Sequence, residues 1–252
     1  MANTTTRSYG KTPTLSSDFS THAMALLRRR HNSSPNSQSA RLDSSLKFKE
    51  IRRIKREIHD TFPDCYVEWI ERVNLPEMYG MYLLRKEEMQ LENGGADGVK
   101  EMLLYHVTTK SRALKSLKSG LDWRLTRRSR YGCGVSFSED AEYADKYADN
   151  STRQDERVIM ICSVLVKETY VVNHKWNEGN NLIAPPGTAD TTVSSNGNVY
   201  VKYNDFDFYP LHLVYYSYQS EYDDYDEYDD NYYWPNPFKT FVFNIYNGFY
   251  QY

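Results

Sequence analysis

Apolar side chains recur at helical spacing in the first quarter of the chain. Phe48, Ile51, Ile54 and Ile58 follow one another at intervals of three or four residues, among basic residues. This spacing puts them on one face of a helix. Proline cannot continue a helix, because its nitrogen carries no hydrogen and its ring crowds the preceding turn. The pattern therefore predicts an amphipathic helix that ends before Pro63.

Three further helices are predicted from apolar spacing and from residues that commonly end helices. Met78 to Gln90 is the first, followed by the turn signal Asn93-Gly94-Gly95. Ser111 to Ser119 is a shorter one, with Gly120 where glycine commonly ends a helix. The last is predicted to begin at Ser138, because two acidic residues follow where the helix dipole favours negative charge.

Strands are predicted mainly in the second half of the chain. Val158 to Val166 is almost continuously apolar and β-branched, which is typical of a buried central strand. Met102 to Tyr105 is a shorter apolar strand. Val199 to Tyr203 and Leu211 to Tyr216 are separated by the polar turn at Asn204-Asp205. Helices that dominate the first half and strands that dominate the second indicate the α+β class.

The first 45 residues have a different composition. They contain 16 Ser or Thr, six Lys or Arg and two Asp. Such a segment buries too little apolar surface to offset the entropy lost on ordering, so residues 1–45 are predicted to be a disordered basic tail. The run Arg28-Arg29-Arg30 is compatible with a solvated tail, a nuclear-import patch or a phosphate contact, and the sequence leaves these open.

The last part of the chain, residues 219–252, is predicted to be an acidic tail rich in tyrosine. Glu221 to Asp230 holds seven acids, three tyrosines and no base. Such a run is a solvated tail or an interaction arm. Residues 238–252 are apolar enough to dock on the domain or to meet a partner. Residues 46–218 remain as the globular domain.

Composition excludes several classes of protein. Lys and Arg number 31 against 34 for Asp and Glu, so the net charge of −3 excludes a wholly basic nucleic-acid binder. Cys65, Cys133 and Cys162 lie far apart, which predicts neither a disulfide framework nor a metal site. The chain has no run of 18 apolar residues and no apolar signal at its N-terminus. We therefore expect no membrane contact and a location in the nucleus or the cytoplasm.

Two short motifs are candidates for chemistry. In Tyr105-His106-Val107-Thr108-Thr109 a histidine stands where a predicted strand gives way to a helix. In Tyr131-Gly132-Cys133-Gly134 two glycines follow a cluster of arginines, and glycine lets a backbone approach a planar ligand closely. Taken alone, each motif has an ordinary explanation, because a lone histidine is more often structural and a tight turn also needs glycine.

Six motifs in a fixed order make the interpretation more specific. They are Met78–Tyr82 with Lys86–Met89, Leu103–Thr108, Leu121–Leu125, Tyr131–Ser138, Ala184–Pro186, and Val199–Tyr203 followed by Tyr209–Val214. In this order and spacing they resemble the catalytic domain of the poly(ADP-ribose) polymerase (PARP) family. The resemblance covers residues 46–218 and is closest to the mono-ADP-ribosylating branch, which includes the TCDD-inducible polymerase and the zinc-finger antiviral protein.

The resemblance implies an ADP-ribosyltransferase fold, a split antiparallel β-sheet with flanking helices, and NAD+ as a substrate rather than a redox cofactor. In the family a histidine binds the adenosine ribose, and the next residue binds the nicotinamide amide through its backbone. Here these are His106 and Val107, followed by Thr108. Gly134 is expected to lie against the same ligand, and Tyr147 to stack on the nicotinamide ring. The partners implied are NAD+ and an acceptor protein, without a metal.

Several site positions differ from the family pattern. Val107 stands where the family has glycine, and its branched side chain is expected to crowd the ligand. Ser136 replaces a second stacking tyrosine, and Ala144 replaces a serine that bonds the carboxamide. The third catalytic position, after His106 and Ser136, is a glutamate in polymer-forming members. Here it falls in His212–Val214, at Leu213 or Val214, and we assign it to Leu213. Without an acid there, we expect mono-ADP-ribosylation rather than chain growth.

Two functions from different classes follow. The first is an NAD+-dependent mono-ADP-ribosyltransferase that modifies Asp, Glu or Cys side chains of proteins. The second is an inactive PARP-like module that binds protein or RNA partners through its tails. The lost contacts sum to about 2 kcal/mol, over tenfold in affinity, whereas the retained His106 favours the enzyme. A third hypothesis is nucleic-acid binding through Arg28–Arg30 and Lys47–Arg56, with a steep dependence on salt.

Overall fold

A computed structural model of the chain describes residues 42–92, 98–121, 129–148, 156–173 and 178–218. Several predictions concern residues outside this set and therefore remain predictions from the sequence. They concern the Arg28–Arg30 patch, most of the basic tail, the turn at Asn93–Gly95 and the acidic tail at 219–252. Most of the motif Leu121–Leu125 also lies outside the described residues.

Helices and strands are mixed along the described chain. The helices are α1 (Phe48–His59), α2 (Pro76–Leu91), α3 (Lys110–Ser119) and α4 (Ala141–Lys146), with a short 3-10 helix at Glu178–Asn181. The strands are β1 (Leu42–Asp43), β2 (Cys65–Val73), β3 (Lys100–Thr109), β4 (Val135–Phe137), β5 (Arg157–Val166), β6 (Thr169–Val172), β7 (Thr191–Ser194), β8 (Tyr200–Lys202) and β9 (Phe208–Tyr218). The predicted α+β class is confirmed.

Five strands form an antiparallel sheet in the order β1-β2-β9-β5-β3. β5 has a neighbour on each side, which accounts for its almost continuous run of buried apolar residues. β3 lies at one edge of this sheet. Leu42 and Asp43, predicted as the end of a disordered tail, instead form the other edge, because Leu42 pairs with Val73 and Asp43 with Arg72 of β2.

The second sheet has the order β4-β8-β7-β6 and diverges from the first next to β3. Its strands are antiparallel apart from the parallel pair β6 and β7. The two sheets meet at an antiparallel bridge between Tyr105 and Ser138. The Tyr105 N–H donates to the Ser138 carbonyl at 2.7 Å, and the Ser138 N–H donates to the Tyr105 carbonyl at 3.0 Å. The split sheet implied by the resemblance is therefore present, and this bridge marks its fork.

Two apolar cores fill the two faces of the five-stranded sheet. Side chains alternate along β5, so neighbouring residues point to opposite faces. Met160 and Cys162 belong to the first core, which α2 and α3 cover. Ile159 and Ile161 belong to the second core, which α1 and α4 cover. The helices thus lie on both faces of the sheet, and α4 is the helix that follows the fork.

The helices predicted from apolar spacing are confirmed within two residues at their ends, except for the last. Ser138 does not begin a helix, because its backbone pairs with Tyr105 at the fork. α4 begins at Ala141 instead. Its cap is Asp140, whose Oδ1 accepts a hydrogen bond of 2.8 Å from the Tyr143 N–H. A carboxylate at this position satisfies an amide that has no partner within the helix.

Strands are more numerous and more evenly distributed than predicted. β2 lies in the half of the chain expected to be mostly helical, and β6 and β7 were also missed. β2 pairs with β9 from Cys65 to Arg72, with a register shift between Val67 and Trp69. The second sheet, whose β4 carries the candidate residue Ser136, is therefore built largely from short strands that local pattern did not show.

Candidate functional site

His106 lies on β3, one residue after the bridge that marks the fork. Its Nδ1 is 2.9 Å from the carbonyl oxygen of Ser136 on β4, and its ring is 5.8 Å from that of Phe137. A carbonyl only accepts hydrogen bonds, so Nδ1 carries the proton. Burial lowers the pKa of His106, against the opposite effect of the Ser136 carbonyl, so the ring is neutral near pH 7. The Nε2 atom is left as a hydrogen-bond acceptor.

The backbone polar groups of Val107 face the edge of β3, whereas its side chain packs into the second core. The side chain is 5% exposed and belongs to the second core, together with Ala141 of α4. Tyr105 directs its N–H and C=O to Ser138, away from β5. Because this direction repeats every second residue, the N–H and C=O of Val107 also point away from β5. They face the edge of β3 that, among the described residues, pairs with no strand beyond the Tyr105–Ser138 bridge. The expectation that Val107 crowds the site is therefore wrong, since its side chain packs into the core.

Gly134 has a structural explanation that does not involve a ligand. A Cβ at this position would lie 2.3 Å from the carbonyl oxygen of Lys202 and 2.6 Å from the side chain of Val201. Glycine is thus required because β4 and β8 approach closely. Thr108, the other predicted ligand contact, is 8% exposed and pairs with Val158 of β5. These contacts show no binding role for either residue.

α4 carries the remaining predicted site residues. Tyr147 follows its last turn and is 46% exposed. Ala144 packs against the second core and offers no hydrogen-bond donor in place of a serine. Ser136 has no ring to place over Tyr147, and its known contribution is the carbonyl that holds His106. The site therefore combines an oriented histidine, an open strand edge and one exposed aromatic side chain.

Asp145 fixes α4 to the sheet. Its side chain is buried and accepts hydrogen bonds from the hydroxyls of Tyr216 and Tyr218 at the end of β9. Arg157, at the start of β5, donates from Nη1 to Asp145 Oδ1 at 2.6 Å. Burial and the adjacent Asp145 carboxylate raise the pKa of Tyr218 to about 12, so the hydroxyl stays a donor. This cluster holds the helix that precedes Tyr147.

Replacing Asp145 by asparagine is expected to lower the free energy of unfolding by about 2 kcal/mol, because hydrogen bonds to a charged group are worth about 1.5–3 kcal/mol. Asparagine keeps the size of the side chain and one acceptor oxygen, but loses the charge that Arg157 faces. Denaturant unfolding measures the change. Asp64→Asn, at an exposed position before β2, is the control. An unchanged midpoint for Asp145→Asn would contradict the anchoring role.

The structure places Leu213 outside the site. It lies in the interior of the five-stranded sheet, where it pairs with Met160, and Met160 in turn pairs with His106. A whole strand therefore separates Leu213 from His106. Its side chain is 0% exposed and belongs to the first core. The assignment of Leu213 as the third catalytic position is wrong for this physical reason.

Of the strands late in the chain, β8 is the one that reaches the fork. Val199 is the residue immediately before β8. Phe137 pairs with Tyr200, so one step further along the register puts Val199 opposite Ser138, which bridges to Tyr105. Val199 is 8% exposed and its carbonyl accepts a hydrogen bond of 3.0 Å from the Ser194 N–H. The sequence predicted Val199 as part of a strand but not of the site. The turn signal Asn196-Gly197 just before it was the available clue.

A cleft of about 520 Å³ beside α2 is lined by none of the residues predicted to bind NAD+. Its walls include Met81, Arg85 and Phe206. Among the residues described, no cluster of three or more His, Cys, Asp or Glu side chains is arranged to hold a metal ion. No helix in the same set of residues has the length and apolar character needed to cross a bilayer.

Comparison with known proteins gives a family and two relatives. Residues 45–199 match the family "Poly(ADP-ribose) polymerase catalytic domain". The chain is similar to "Protein mono-ADP-ribosyltransferase PARP12" of Homo sapiens, with 27% identity over 195 residues, which are 73% of this chain and 26% of that protein. The Mus musculus protein of the same name is 25% identical over 179 residues, 67% of this chain and 24% of its own length. The chain thus spans about a quarter of the length of these relatives. Because the family match covers more than half of it, the chain belongs to the PARP catalytic-domain family.

Proposed function

We propose that the protein is an NAD+-dependent mono-ADP-ribosyltransferase, which transfers ADP-ribose from NAD+ to a protein side chain and releases nicotinamide. The observation that carries the proposal is the position of His106 at the fork of the split sheet. Its Nδ1–H is fixed on the Ser136 carbonyl, and its Nε2 is left as an acceptor beside an open strand edge. Membership of the PARP catalytic-domain family supports the same activity.

The reaction needs a site that positions a sugar and a leaving group. The bond between the nicotinamide nitrogen and ribose C1′ breaks, and its electron pair leaves with nicotinamide. Positive charge develops on the ribose, as in glycoside hydrolysis. A nucleophilic oxygen or sulfur of the acceptor then bonds to C1′, so any proton it carried is released. Orientation and electrostatic stabilisation can supply most of this catalysis.

The described residues fit the parts of NAD+ that this reaction must hold. The Nε2 atom of His106 can accept a hydrogen bond from a ribose hydroxyl. The N–H and C=O of Val107 suit the carbonyl and the amino group of a carboxamide, since one donates and the other accepts. Tyr147 offers an exposed ring for stacking on nicotinamide. The chain thus provides groups for the sugar, the amide and the ring.

Mono-ADP-ribosylation is proposed because neither candidate for the third position is acidic. Val199, which lies closest to the fork, and Leu213, assigned from sequence, are both apolar. A carboxylate there would polarise a ribose hydroxyl and activate it as the next acceptor. Without one, the acceptor must bring its own nucleophile, such as a carboxylate or a thiolate. The names of the two relatives describe the same type of activity.

A second candidate function is an inactive module that binds partners. The observation that favours it is the loss of two ligand contacts, at Ser136 and Ala144. Each is worth about 0.5–1.5 kcal/mol. Val107, the third difference from the family pattern, does not obstruct NAD+ binding, because its side chain lies in the second core. The geometry therefore supports the transferase better than the binding module.

Partners are proposed from the sequence and from the exposed face of α1, and location is proposed from the sequence alone. An acceptor protein is required by the reaction, and the tails offer further contacts to protein or RNA. The outer face of α1 adds exposed basic residues, including Lys49, Arg52 and Arg56. If this face binds RNA, affinity falls steeply as salt is raised. We place the protein in the nucleus or the cytoplasm.

The transferase is tested by incubating the purified chain with biotinylated NAD+ and a mixture of candidate acceptor proteins. We expect label on protein, and intact mass spectrometry is expected to show single ADP-ribose additions at each site. Ladders of increasing mass would contradict the mono assignment. Absence of label together with absence of an NAD+-induced thermal shift would overturn the proposal. Binding without transfer would favour the inactive module.

A further inference from the structure

Two contacts of aromatic rings lie beside the candidate site, one between Tyr143 and Tyr147 and one between Arg130 and Tyr131. The rings of Tyr143 and Tyr147 have centroids 4.5 Å apart and planes inclined by 39°. The Arg130 guanidinium carbon lies 5.7 Å from the centre of the Tyr131 ring. Burial, together with the nearby Tyr131 and Tyr147, raises the pKa of Tyr143 to about 12 against the opposite effect of Arg130. The Tyr143 ring thus packs directly against the Tyr147 ring.

The loop that carries Tyr131 is held in place by the second sheet. The Tyr131 carbonyl accepts a hydrogen bond of 2.6 Å from Thr192 Oγ1. A Cβ on Gly179 would lie 2.1 Å from the Arg130 carbonyl oxygen, so the segment around Gly179 packs tightly on this loop. The Cys133 N–H donates to the Leu182 carbonyl at 2.7 Å. The loop is therefore anchored, and its Arg130 and Tyr131 act electrostatically on the Tyr143 hydroxyl, whose ring packs on Tyr147.

Tyr147 needs such support. It follows the last residue of α4, a helix of six residues, and 46% of it is exposed. Side chains at the end of a short helix lose rotamer freedom when a ligand binds them, which weakens binding. Ser136 supplies no second ring to hold a planar ligand from the other side. A ring packed behind Tyr147 reduces this cost, because it limits the orientations of Tyr147 before the ligand arrives.

We propose that Tyr143 is a positioning residue, which holds the Tyr147 ring so that the nicotinamide group of NAD+ stacks on its exposed face. This inference rests on the proposed transferase function. The stack has the order Tyr143, Tyr147, nicotinamide, with the tyrosines on one side of the ligand. Tyr143 itself acts through Tyr147 and does not contact the reacting atoms.

The test compares Tyr143→Ala, Tyr147→Ala and the double variant for nicotinamide release from NAD+. We expect Tyr143→Ala to raise KM for NAD+ about threefold to tenfold, with kcat within about twofold, because ground-state binding is lost. Tyr147→Ala is expected to raise KM at least as much. The double variant is expected to equal Tyr147→Ala, since Tyr143 has no effect once the ring it supports is absent.

Two further variants separate positioning from a general effect on folding. Tyr143→Phe keeps the ring and loses only the hydroxyl, so it is expected to restore most of the affinity that Tyr143→Ala loses. Tyr66→Ala, at an exposed position on β2, is the control for removing a surface tyrosine. Effects of Tyr143→Ala and Tyr147→Ala that add fully, or an unchanged KM for Tyr143→Ala, would overturn the inference alone. A wild-type chain that neither binds nor cleaves NAD+ would overturn the transferase proposal.

Discussion

Replacing His106 by alanine is expected to lower the rate of ADP-ribose transfer by about a hundredfold. The Nδ1–H is fixed on the Ser136 carbonyl at 2.9 Å, so Nε2 is oriented before the sugar binds. Alanine removes that acceptor and the ring that packs near Phe137. The ribose is then no longer held in the orientation in which nicotinamide leaves. Nicotinamide release from NAD+ at pH 7.5, where the lowered pKa keeps His106 neutral, measures the loss.

The matched control for this prediction is His59→Ala. His59 is the last residue of α1 and is exposed, so its loss is expected to leave transfer within about twofold of the wild type. Thermal unfolding of both variants checks that each is folded. A rate for His106→Ala within threefold of the wild type, in a folded protein, would exclude His106 from the catalytic machinery.

Parts of the fold were predictable because local pattern and tertiary burial agree there. In α1 the residues at helical spacing, Ile54 and Ile58, are the ones that the sheet buries. In β5 the apolar run is long enough to indicate burial on both faces. β2 was missed because the register shifts between Val67 and Trp69, which breaks the alternation that predicts a strand.

The second sheet was harder to predict, since long-range contacts decide which of its residues are buried. Thr191 and Thr192 of β7 are 0% exposed although both are polar. Thr192 Oγ1 donates to the Tyr131 carbonyl, a contact between residues 61 positions apart. A buried hydroxyl is tolerated when it is hydrogen-bonded, and the sequence does not show which partner will be present.

The candidate site, like the fold, was predictable only in part from the sequence. Motif order predicted His106, Ser136 and the helix that precedes Tyr147 as parts of the site, because each lies in a short motif of its own and β4 and α4 follow one another closely along the chain. The third position required a choice between two late strands. Sequence order favoured Leu213 on β9, whereas strand pairing shows that β8, preceded by Val199, lies next to β4. Only the sheet topology distinguishes the two, and topology is a long-range property.

A buried lysine ties the second sheet to α2. Lys202 of β8 is 0% exposed, and its Nζ lies 2.6 Å from Asp190 Oδ1 and 3.0 Å from Asp207 Oδ2. Arg85 of α2 donates from Nε to Asp207 Oδ1 at 2.9 Å. Burial tends to raise the pKa of Asp190, but the Lys202 charge and hydrogen bonds outweigh it and hold that pKa below its ordinary value. The Asp190 carboxylate therefore stays charged in the interior.

Replacing Lys202 by methionine is expected to lower the free energy of unfolding by about 3–5 kcal/mol, because one partner of a buried ion pair is removed and the carboxylates remain. Methionine has a similar length, so little of the effect comes from a cavity. Lys86→Met is the control, since its pair with Glu101 at 2.7 Å is partly exposed and such pairs contribute about 0–1 kcal/mol. Denaturant unfolding of the two variants gives the comparison. Equal losses for Lys202→Met and Lys86→Met would show that burial of the lysine does not determine its contribution, and that the second sheet is held by its strand pairing and apolar packing instead.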